Sequence, residues 1–313
     1  MLQLPPRGFI ESRKEHKGHL DVHADWIEAS VLFAVDQVSQ ADFVDALIEN
    51  NTYNNQDFAY DWVSNVFREL ERRFSLLGHG CALIREGARI RRLCKWEERS
   101  AYAFCVALTM VPHYRKRIEA KCGKAYTEQG ALFERLCAES LRALHWEVAQ
   151  VGWSRSASNS IQDKVNALAA AIGEPANDQA IQRWAEPDAK DGGLDLVAWK
   201  EFPDGLSGRP ICLVQVASGE NWADKLHTPN VALWAKLIDF ATRPRRGLAM
   251  PFAPEKEYFR RQSNHDLVML LMDRHRILSP TRDGDGAFPS QALASDLINW
   301  TQTRVAAFPL DDE

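Results

Sequence analysis

Two neighbouring stretches decide the fold of the second half of the chain: KDGGLDLVAWK, residues 190–200, and PICLVQVASG, residues 210–219. Each stretch contains an apolar run of strand length. The turn-forming segment PDGLSG, residues 203–208, lies between the two stretches. The pattern predicts two adjacent strands, with Asp195 at the start of the first and Gln215 inside the second. A buried polar group costs roughly 1–3 kcal/mol unless it finds a partner. We therefore expect Gln215 to contact Asp195.

The segment GALFERLCAES, residues 130–140, adds a third polar residue to this half of the chain. It has the periodicity of an amphipathic helix, and Glu134 lies beside the apolar stripe that contains Cys137 and Leu141. From residue 125 onward, predicted helices alternate with predicted strands. This alternation is typical of a mixed α/β sheet flanked by helices.

Residues before 125 have a different pattern. Amphipathic helices are predicted between residues 24 and 74, with Ser39 or Gln40 near an N-terminal cap and Gly78 closing the last helix. The segment CALIREGARIRRL predicts a short basic β-hairpin that turns at Glu86-Gly87. We therefore predict a mainly helical domain over residues 1–124 and an α/β domain over residues 125–313.

The helix FER, the strand GLDLVAW and the strand LVQVASG resemble, in order and spacing, the PD-(D/E)XK superfamily of restriction-endonuclease-like nucleases. The resemblance covers about residues 125–275. It implies a restriction-endonuclease-like fold that hydrolyses phosphodiester bonds, with Glu134, Asp195 and Gln215 as catalytic residues and as ligands of Mg²⁺ or Mn²⁺. The stretch QVASGENW also resembles prokaryotic nuclease-like proteins associated with phage defence.

The sequence departs from this family at one position. Ala217 stands two residues after Gln215, where the family has a lysine. Lys225, in NWADK, is the predicted replacement because the lysine of this superfamily can come from a neighbouring element, whereas Lys190 and Lys200 are less well placed. If no lysine reaches the site, the alternative function is an inactive nuclease-like adaptor that binds nucleic acid or a partner protein.

Basic residues concentrate in one part of the chain. Between Val66 and Arg99 there are nine lysine and arginine residues against five acidic residues, although the whole chain has a formal net charge of −5. This asymmetry favours nucleic acid as a partner, with DNA preferred. The alternative is a solvated helix face whose ion-pair partners lie elsewhere in the fold. The predicted nucleic-acid-binding residues are Arg85, Arg89, Arg91, Arg92, Arg245 and Arg246.

The bulk composition sets outer limits on the function. With 313 residues, 45% hydrophobic and 26% charged, the chain has an ordinary globular composition and room for two domains. No apolar run is long enough to span a bilayer and the N-terminus lacks a signal-peptide pattern, so we expect a cytoplasmic protein without membrane contact. Six scattered cysteines predict reduced thiols. Without a GxxxxGK[ST] loop, any ATP-driven step would need a partner protein.

Overall fold

The computed structural model of the chain describes residues 1–5, 19–151, 161–184, 193–261, 269–284 and 287–311. The fold is mixed α/β, as predicted. The chain divides into two compact units: residues 1–129, 251–255 and 274–313 form the first, and residues 130–250 and 256–273 form the second. This division differs from the predicted one at its C-terminal end, because residues 274–313 belong to the first unit.

The helices and strands are numbered in chain order. The α-helices are α1 Leu20–Phe33, α2 Gln40–Glu49, α3 Gln56–Leu77, α4 Ser100–Met110, α5 Arg115–Cys122, α6 Tyr126–Ala143, α7 Ile161–Ile172, α8 Asp178–Trp184, α9 Val231–Leu237, α10 Lys256–Arg261, α11 Arg274–Ile277 and α12 Gln291–Val305. The strands are β1 Gln37–Ser39, β2 Leu83–Glu86, β3 Arg89–Arg92, β4 Glu147–Gln150, β5 Leu196–Trp199, β6 Ile211–Val216, β7 Arg245–Ala249 and β8 Met269–Met272. Short 3₁₀ helices cover Gly78–Gly80, Trp96–Arg99, Glu220–Lys225 and Ser279–Thr281.

The first unit contains a three-stranded antiparallel sheet with the order β1-β3-β2. The predicted hairpin of β2 and β3 is confirmed. Ser39 caps α2, as predicted, through a reciprocal pair of hydrogen bonds with Asp42. Gly78, at the end of α3, has a φ of +53°, a backbone conformation that glycine adopts at low cost. These local signals fix the ends of the elements.

A cluster of charged side chains lies in the core of the first unit. Arg73 Nη1 donates to Asp25 Oδ1 and to Glu28 Oε2, both at 2.7 Å. Arg274 Nη2 donates to the same two oxygens at 2.7 and 2.8 Å, and Arg73 also pairs with Glu69 at 3.0 Å. Burial alone would raise the pKa of Asp25, but the two arginines hold it below its usual value. The cluster therefore joins α1, α3 and α11 through ion pairs that would be costly to break singly.

The second unit is built on a five-stranded sheet with the order β4-β5-β6-β7-β8. The β4–β5 and β5–β6 pairs are antiparallel, whereas the β6–β7 and β7–β8 pairs are parallel. Every residue of β5 and β6 is buried, as expected for central strands covered on both faces. Apolar residues from α7, α8 and α9 pack on these two strands. The central hairpin is therefore held by packing as well as by its backbone ladder.

Some elements were not predicted from the sequence. These include the three-residue strand β1, the helices α5, α8 and α11, and the 3₁₀ form of Glu220–Lys225, for which a helix running into α9 was expected. The segment SNSIQDKVNALAAAIG predicts a helix capped by Ser158 or Asn159, and these two residues lie outside the described residues. All six cysteines are free, as expected. Within the described part of the chain, we find no helix of the length and apolarity that a membrane span requires.

His23 is a buried titratable residue in α1. Its Nδ1 accepts a 2.6 Å hydrogen bond from Nε1 of Trp62, and its side chain has no solvent exposure. Burial, with a smaller contribution from His19, lowers the pKa of His23 to about 3. Charging the imidazole would require a proton on Nδ1, the atom that already accepts the Trp62 N–H. The folded protein therefore keeps His23 neutral.

The neutral state of His23 predicts a loss of stability in mild acid. The folded pKa is below the unfolded value of about 6.5, so unfolding takes up a proton as the pH falls through 6.5 towards 3. We expect the free energy of unfolding of the first unit to decrease by about 2 kcal/mol between about pH 7.5 and pH 5. Denaturant-induced unfolding at the two pH values measures this difference.

The control for this experiment is His23→Gln. Glutamine can accept the Trp62 N–H but does not titrate. The variant should be less stable at neutral pH because it loses ring packing, and its stability should change much less between the two pH values. If wild type and His23→Gln show the same pH dependence, His23 is not its source.

Candidate functional site

Asp195 and Gln215 are in direct contact at one end of the β5–β6 hairpin. The register pairs Leu196 with Val214, and Asp195 N–H donates to the Val214 carbonyl at 3.1 Å. Asp195 Oδ2 accepts a hydrogen bond from Val216 N–H at 2.6 Å and another from Gln215 Nε2. The predicted contact between Asp195 and Gln215 is confirmed. Both side chains are largely buried, with 8% and 7% exposure.

The Gln215 amide nitrogen lies where two oxygen atoms converge. Besides Asp195 Oδ2, it donates to the Val216 carbonyl at 3.3 Å. The carbonyl of this amide was the expected metal ligand, yet the nitrogen faces Asp195 in the structure. A carboxylate oxygen attracts an N–H donor and repels a carbonyl oxygen, which accounts for this orientation. A half-turn of the amide would instead place its oxygen beside those of Asp195 and Val216.

Gly193 and Thr228 pack against Gln215. Gly193 has a φ of +75°, and a Cβ atom built on it would lie 2.7 Å from Gln215 Oε1 and 2.9 Å from Thr228 Cβ. Real Cβ atoms do not approach other heavy atoms this closely, so the backbone of residue 193 reaches Gln215 only because it is glycine. This close packing fixes one side of the Gln215 amide. Gly192, the glycine that precedes Gly193, lies outside the described residues.

Glu134, on α6, is attached to the sheet through Gln150. Gln150 Nε2 donates to Glu134 Oε1 at 3.2 Å, and Gln150 pairs with Leu196, the residue after Asp195. Glu134 is almost completely buried, with 1% exposure. Gln150 was not predicted, because a glutamine at the end of a strand is usually a solvated residue. The resemblance also implies that Glu134, Asp195 and Gln215 converge within about 8 Å, a spacing that hydrated Mg²⁺ could bridge. This convergence stays a prediction.

Lys225 is connected to Gln215 through two intermediate contacts. Its carbonyl accepts hydrogen bonds from the backbone N–H and the Oγ1 of Thr228, at 3.0 and 2.8 Å. Thr228 in turn packs at Gly193, next to Gln215. The side chain of Lys225 is half-buried and forms no ion pair with any described residue. Its backbone is therefore fixed near the site, which is compatible with the predicted role of its ammonium group.

Lys190 and Lys200 are the two lysines expected to be less well placed for the candidate site, and the structure describes Lys200. Lys200 follows the opposite end of β5, where its Nζ donates to the Leu144 carbonyl at 2.9 Å and lies 5.1 Å from the ring centroid of Trp146. Lys190 lies outside the described residues. Ala217 is fully buried, and its N–H donates to the Ala249 carbonyl at 2.8 Å. Lys225 thus remains the candidate lysine.

The donor set at this site consists of hard oxygen atoms. Asp195 supplies a carboxylate, Val216 a carbonyl and Gln215 an amide, and the predicted convergence of Glu134 would add a second carboxylate. These are the ligand types that Mg²⁺ and Mn²⁺ prefer. In the described part of the chain, including this site, no group of three or more His, Cys, Asp or Glu side chains is arranged to hold a metal ion. A cation here would therefore depend on the amide and the backbone carbonyl as well as on the carboxylates.

Most of the predicted nucleic-acid-binding arginines of the hairpin already have partners within the first unit. Arg85 pairs with Glu71 at 2.7 Å, Arg91 with Glu86 at 2.6 Å, and Arg92 with Asp36. Arg89 is exposed and forms no ion pair with a described residue. Arg73, which was counted in the same basic segment, is in the buried charge cluster and not at the surface. The basic surface is therefore smaller than the sequence suggests.

Arg245 and Arg246 lie at the first residues of β7. They pair with Cys212 and Leu213, whereas Gln215 pairs with Leu248 further along the same parallel ladder. Three residues of a strand span about 10 Å, so the backbone of Arg245 is at the other end of the ladder from Gln215. Arg246 Nε donates to the Pro229 carbonyl at 3.2 Å. Of this pair, only Arg245 is exposed.

Comparison of this chain with family models, with curated proteins and with solved structures finds no match.

The close approach of Gly193 to Gln215 can be tested by substitution to alanine. Gly193→Ala should destabilise the second unit because the new methyl group displaces Gln215 and Thr228. The matched control is Gly205→Ala, because Gly205 also has a positive φ, +67°, but has open space around its Cβ position. Both variants should lose about 1–2 kcal/mol from the left-handed backbone.

Gly193→Ala should lose about 1–3 kcal/mol more than the control because of the steric conflict. Urea-induced unfolding of the two variants and of the wild type measures the difference. Equal destabilisation by the two substitutions would mean that Gly193 does not support the Gln215 side chain.

Proposed function

We propose that this protein is a metal-dependent nuclease that hydrolyses phosphodiester bonds, with its active site at Asp195, Gln215 and Glu134 in a restriction-endonuclease-like domain. The observation that carries the proposal is the contact between Asp195 and Gln215 on adjacent antiparallel strands of a mixed five-stranded sheet. The PD-(D/E)XK motif requires this pairing. The resemblance to phage-defence nucleases extends the same proposal to a role in prokaryotic defence.

Each residue has a distinct part in the proposed chemistry. When bound, a Mg²⁺ or Mn²⁺ ion would polarise the phosphate and lower the pKa of the attacking water. Asp195 is suited to hold the ion because Val216 N–H fixes its carboxylate. Gln215 would contribute its carbonyl after the half-turn of its amide, together with the Val216 carbonyl. Lys225 would supply the positive charge that stabilises the phosphate as negative charge develops.

A second candidate is the inactive adaptor, a nuclease-like domain that binds nucleic acid or a partner protein without cutting. One observation favours it: Oδ2 of Asp195 already accepts two hydrogen bonds from β6, so this carboxylate also has a structural role. In this case Asp195 and Gln215 would stabilise the end of the hairpin. The two candidates differ in whether loss of the Asp195 charge abolishes a reaction.

We expect Asp195→Asn to abolish cleavage while the domain stays folded. The asparagine carbonyl can still accept the N–H groups of Val216 and Gln215, but it lacks the negative charge that binds a divalent cation. A plasmid or an oligonucleotide incubated with Mg²⁺ or Mn²⁺ is the assay, and circular dichroism checks the fold. A wild-type protein that never cuts DNA or RNA with either metal would favour the adaptor.

Lys225→Ala tests the replacement of the family lysine. We expect cleavage to slow by about 100-fold or more, with nucleic-acid affinity nearly unchanged, because the ammonium group acts mainly on the transition state. Lys164→Ala is the control, since Lys164 is also a half-buried lysine of the second unit but lies on α7. If Lys225→Ala cuts as fast as Lys164→Ala, another group supplies the charge.

Arg89 is the hairpin arginine best placed to bind a phosphate, because the other three are in ion pairs. Arg89→Gln should weaken binding of a DNA oligonucleotide and reduce the slope of log K against log salt concentration by about 1, the value for one lost phosphate contact. Arg142→Gln, which removes the same charge from an exposed arginine outside the predicted set, is the control. An unchanged slope in Arg89→Gln would remove this arginine from the interface.

A further inference from the structure

The first unit contains a pocket of about 240 Å³ at the N-terminal end of α4. It is lined by His79, Arg99, Ser100, Thr281 and Phe288, among others. Its volume is several times the roughly 30 Å³ that a water molecule takes in the liquid, and below the usual range of about 300–1,000 Å³ for drug-sized ligands. The pocket therefore has the size for a small polar ligand.

The first turn of α4 faces the pocket without a side-chain cap. Arg99 is the N-cap residue, and no side chain there accepts a hydrogen bond from the helix. An arginine cannot fill this role because its guanidinium has only donors. The N–H groups at the start of a helix lack intrahelical acceptors and lie at the positive end of the helix dipole. Ser100 and Ala101, the first two residues of α4, line the pocket.

Ser100 gives independent support for a ligand at this position. Its residue exposure is only 6%, and it lines the pocket. None of the residues that the structure describes forms a hydrogen bond with its hydroxyl group. The hydroxyl is open to the space of the pocket, and the fold itself does not use it as a donor. A ligand oxygen in the pocket can accept its hydrogen bond.

Arg99 brings a positively charged group to the pocket. The Arg99 guanidinium is held in place by Nε, which donates to the His79 carbonyl at 2.7 Å, and by Nη1, which donates to the Glu98 carbonyl at 3.0 Å. Its Nη2 forms no hydrogen bond with a described residue and is available for a ligand. Glu98 also lines the pocket, and its carboxylate, which accepts Lys95 N–H at 3.0 Å, would oppose an anion.

We propose that this pocket binds the phosphate group of a small phosphate monoester, through Arg99, the Ser100 hydroxyl and the N–H groups at the start of α4. A helix N-terminus with an adjacent arginine matches a tetrahedral oxyanion, because backbone N–H groups and a guanidinium donate to several oxygens at once. The site lies in the first unit and uses none of the residues of the proposed nuclease site. Its test is therefore independent of nuclease activity.

Isothermal titration calorimetry with inorganic phosphate and with ribose 5-phosphate tests the proposal on the full chain. Saturable binding of both, with a Kd below about 1 mM, is expected. A different result would overturn the small-molecule assignment. In that result, the protein binds a 5′-phosphorylated oligonucleotide but binds neither the same oligonucleotide with a 5′-hydroxyl group nor ribose 5-phosphate. Absence of saturable binding of either probe up to about 10 mM would overturn the site.

Four variants connect the binding to the pocket. Arg99→Gln should raise the Kd by about 10-fold or more, and Ser100→Ala by about 3-fold, whereas Arg142→Gln, which removes an exposed arginine of the second unit, should leave it unchanged. Glu98→Gln should lower the Kd, because the amide can still accept Lys95 N–H but does not repel the anion. Ser100→Ala removes no hydrogen bond that the fold uses. Wild-type affinity in both Ser100→Ala and a folded Arg99→Gln would overturn the assignment.

Discussion

The register of the β5–β6 hairpin is the constraint on which the candidate site depends. Pairing of Leu196 with Val214 places Asp195 beside Gln215, and a slip of one residue would turn every side chain of a strand to the other face. The Asp195 side chain adds one hydrogen bond after the last backbone bond between the two strands, because its carboxylate accepts Val216 N–H at 2.6 Å. A side chain thus satisfies a strand N–H at the point where the paired backbone ends.

This arrangement gives the polar residues of the hairpin a structural reason as well as a chemical one. Asp195 and Gln215 satisfy each other in a region where every residue of β5 and β6 is buried. The cost of burying the carboxylate is offset by the two N–H groups that donate to it. The same fixed carboxylate is what a metal site needs, since an ion binds best to ligands that are already oriented. The structural role and the proposed catalytic role therefore place the same demand on Asp195, and loss of its charge is the change that distinguishes them.

The sequence predicted this site better than its surroundings. Gln215 stood out as a polar residue in an apolar strand, and its need for a partner pointed to Asp195, which the structure confirms. Gln150 could not be found in this way, because its contact with Glu134 joins a helix to a strand end and leaves no local pattern. Lys225 was expected on a helix, but its segment is a 3₁₀ helix with a kink at Asn221.

The fold of the first unit shows why charge counts along a sequence predict surfaces poorly. Arg73 belongs to a segment rich in basic residues, yet it is fully buried because Asp25 and Glu28, more than forty positions earlier, neutralise it. Similarly, residues 274–313 join the first unit through contacts that are distant in sequence, and Arg274 shares the acids of Arg73. Long-range ion pairs of this kind leave no periodicity to detect. The case for nucleic acid therefore rests more on the Asp195–Gln215 contact than on the number of arginines in the chain.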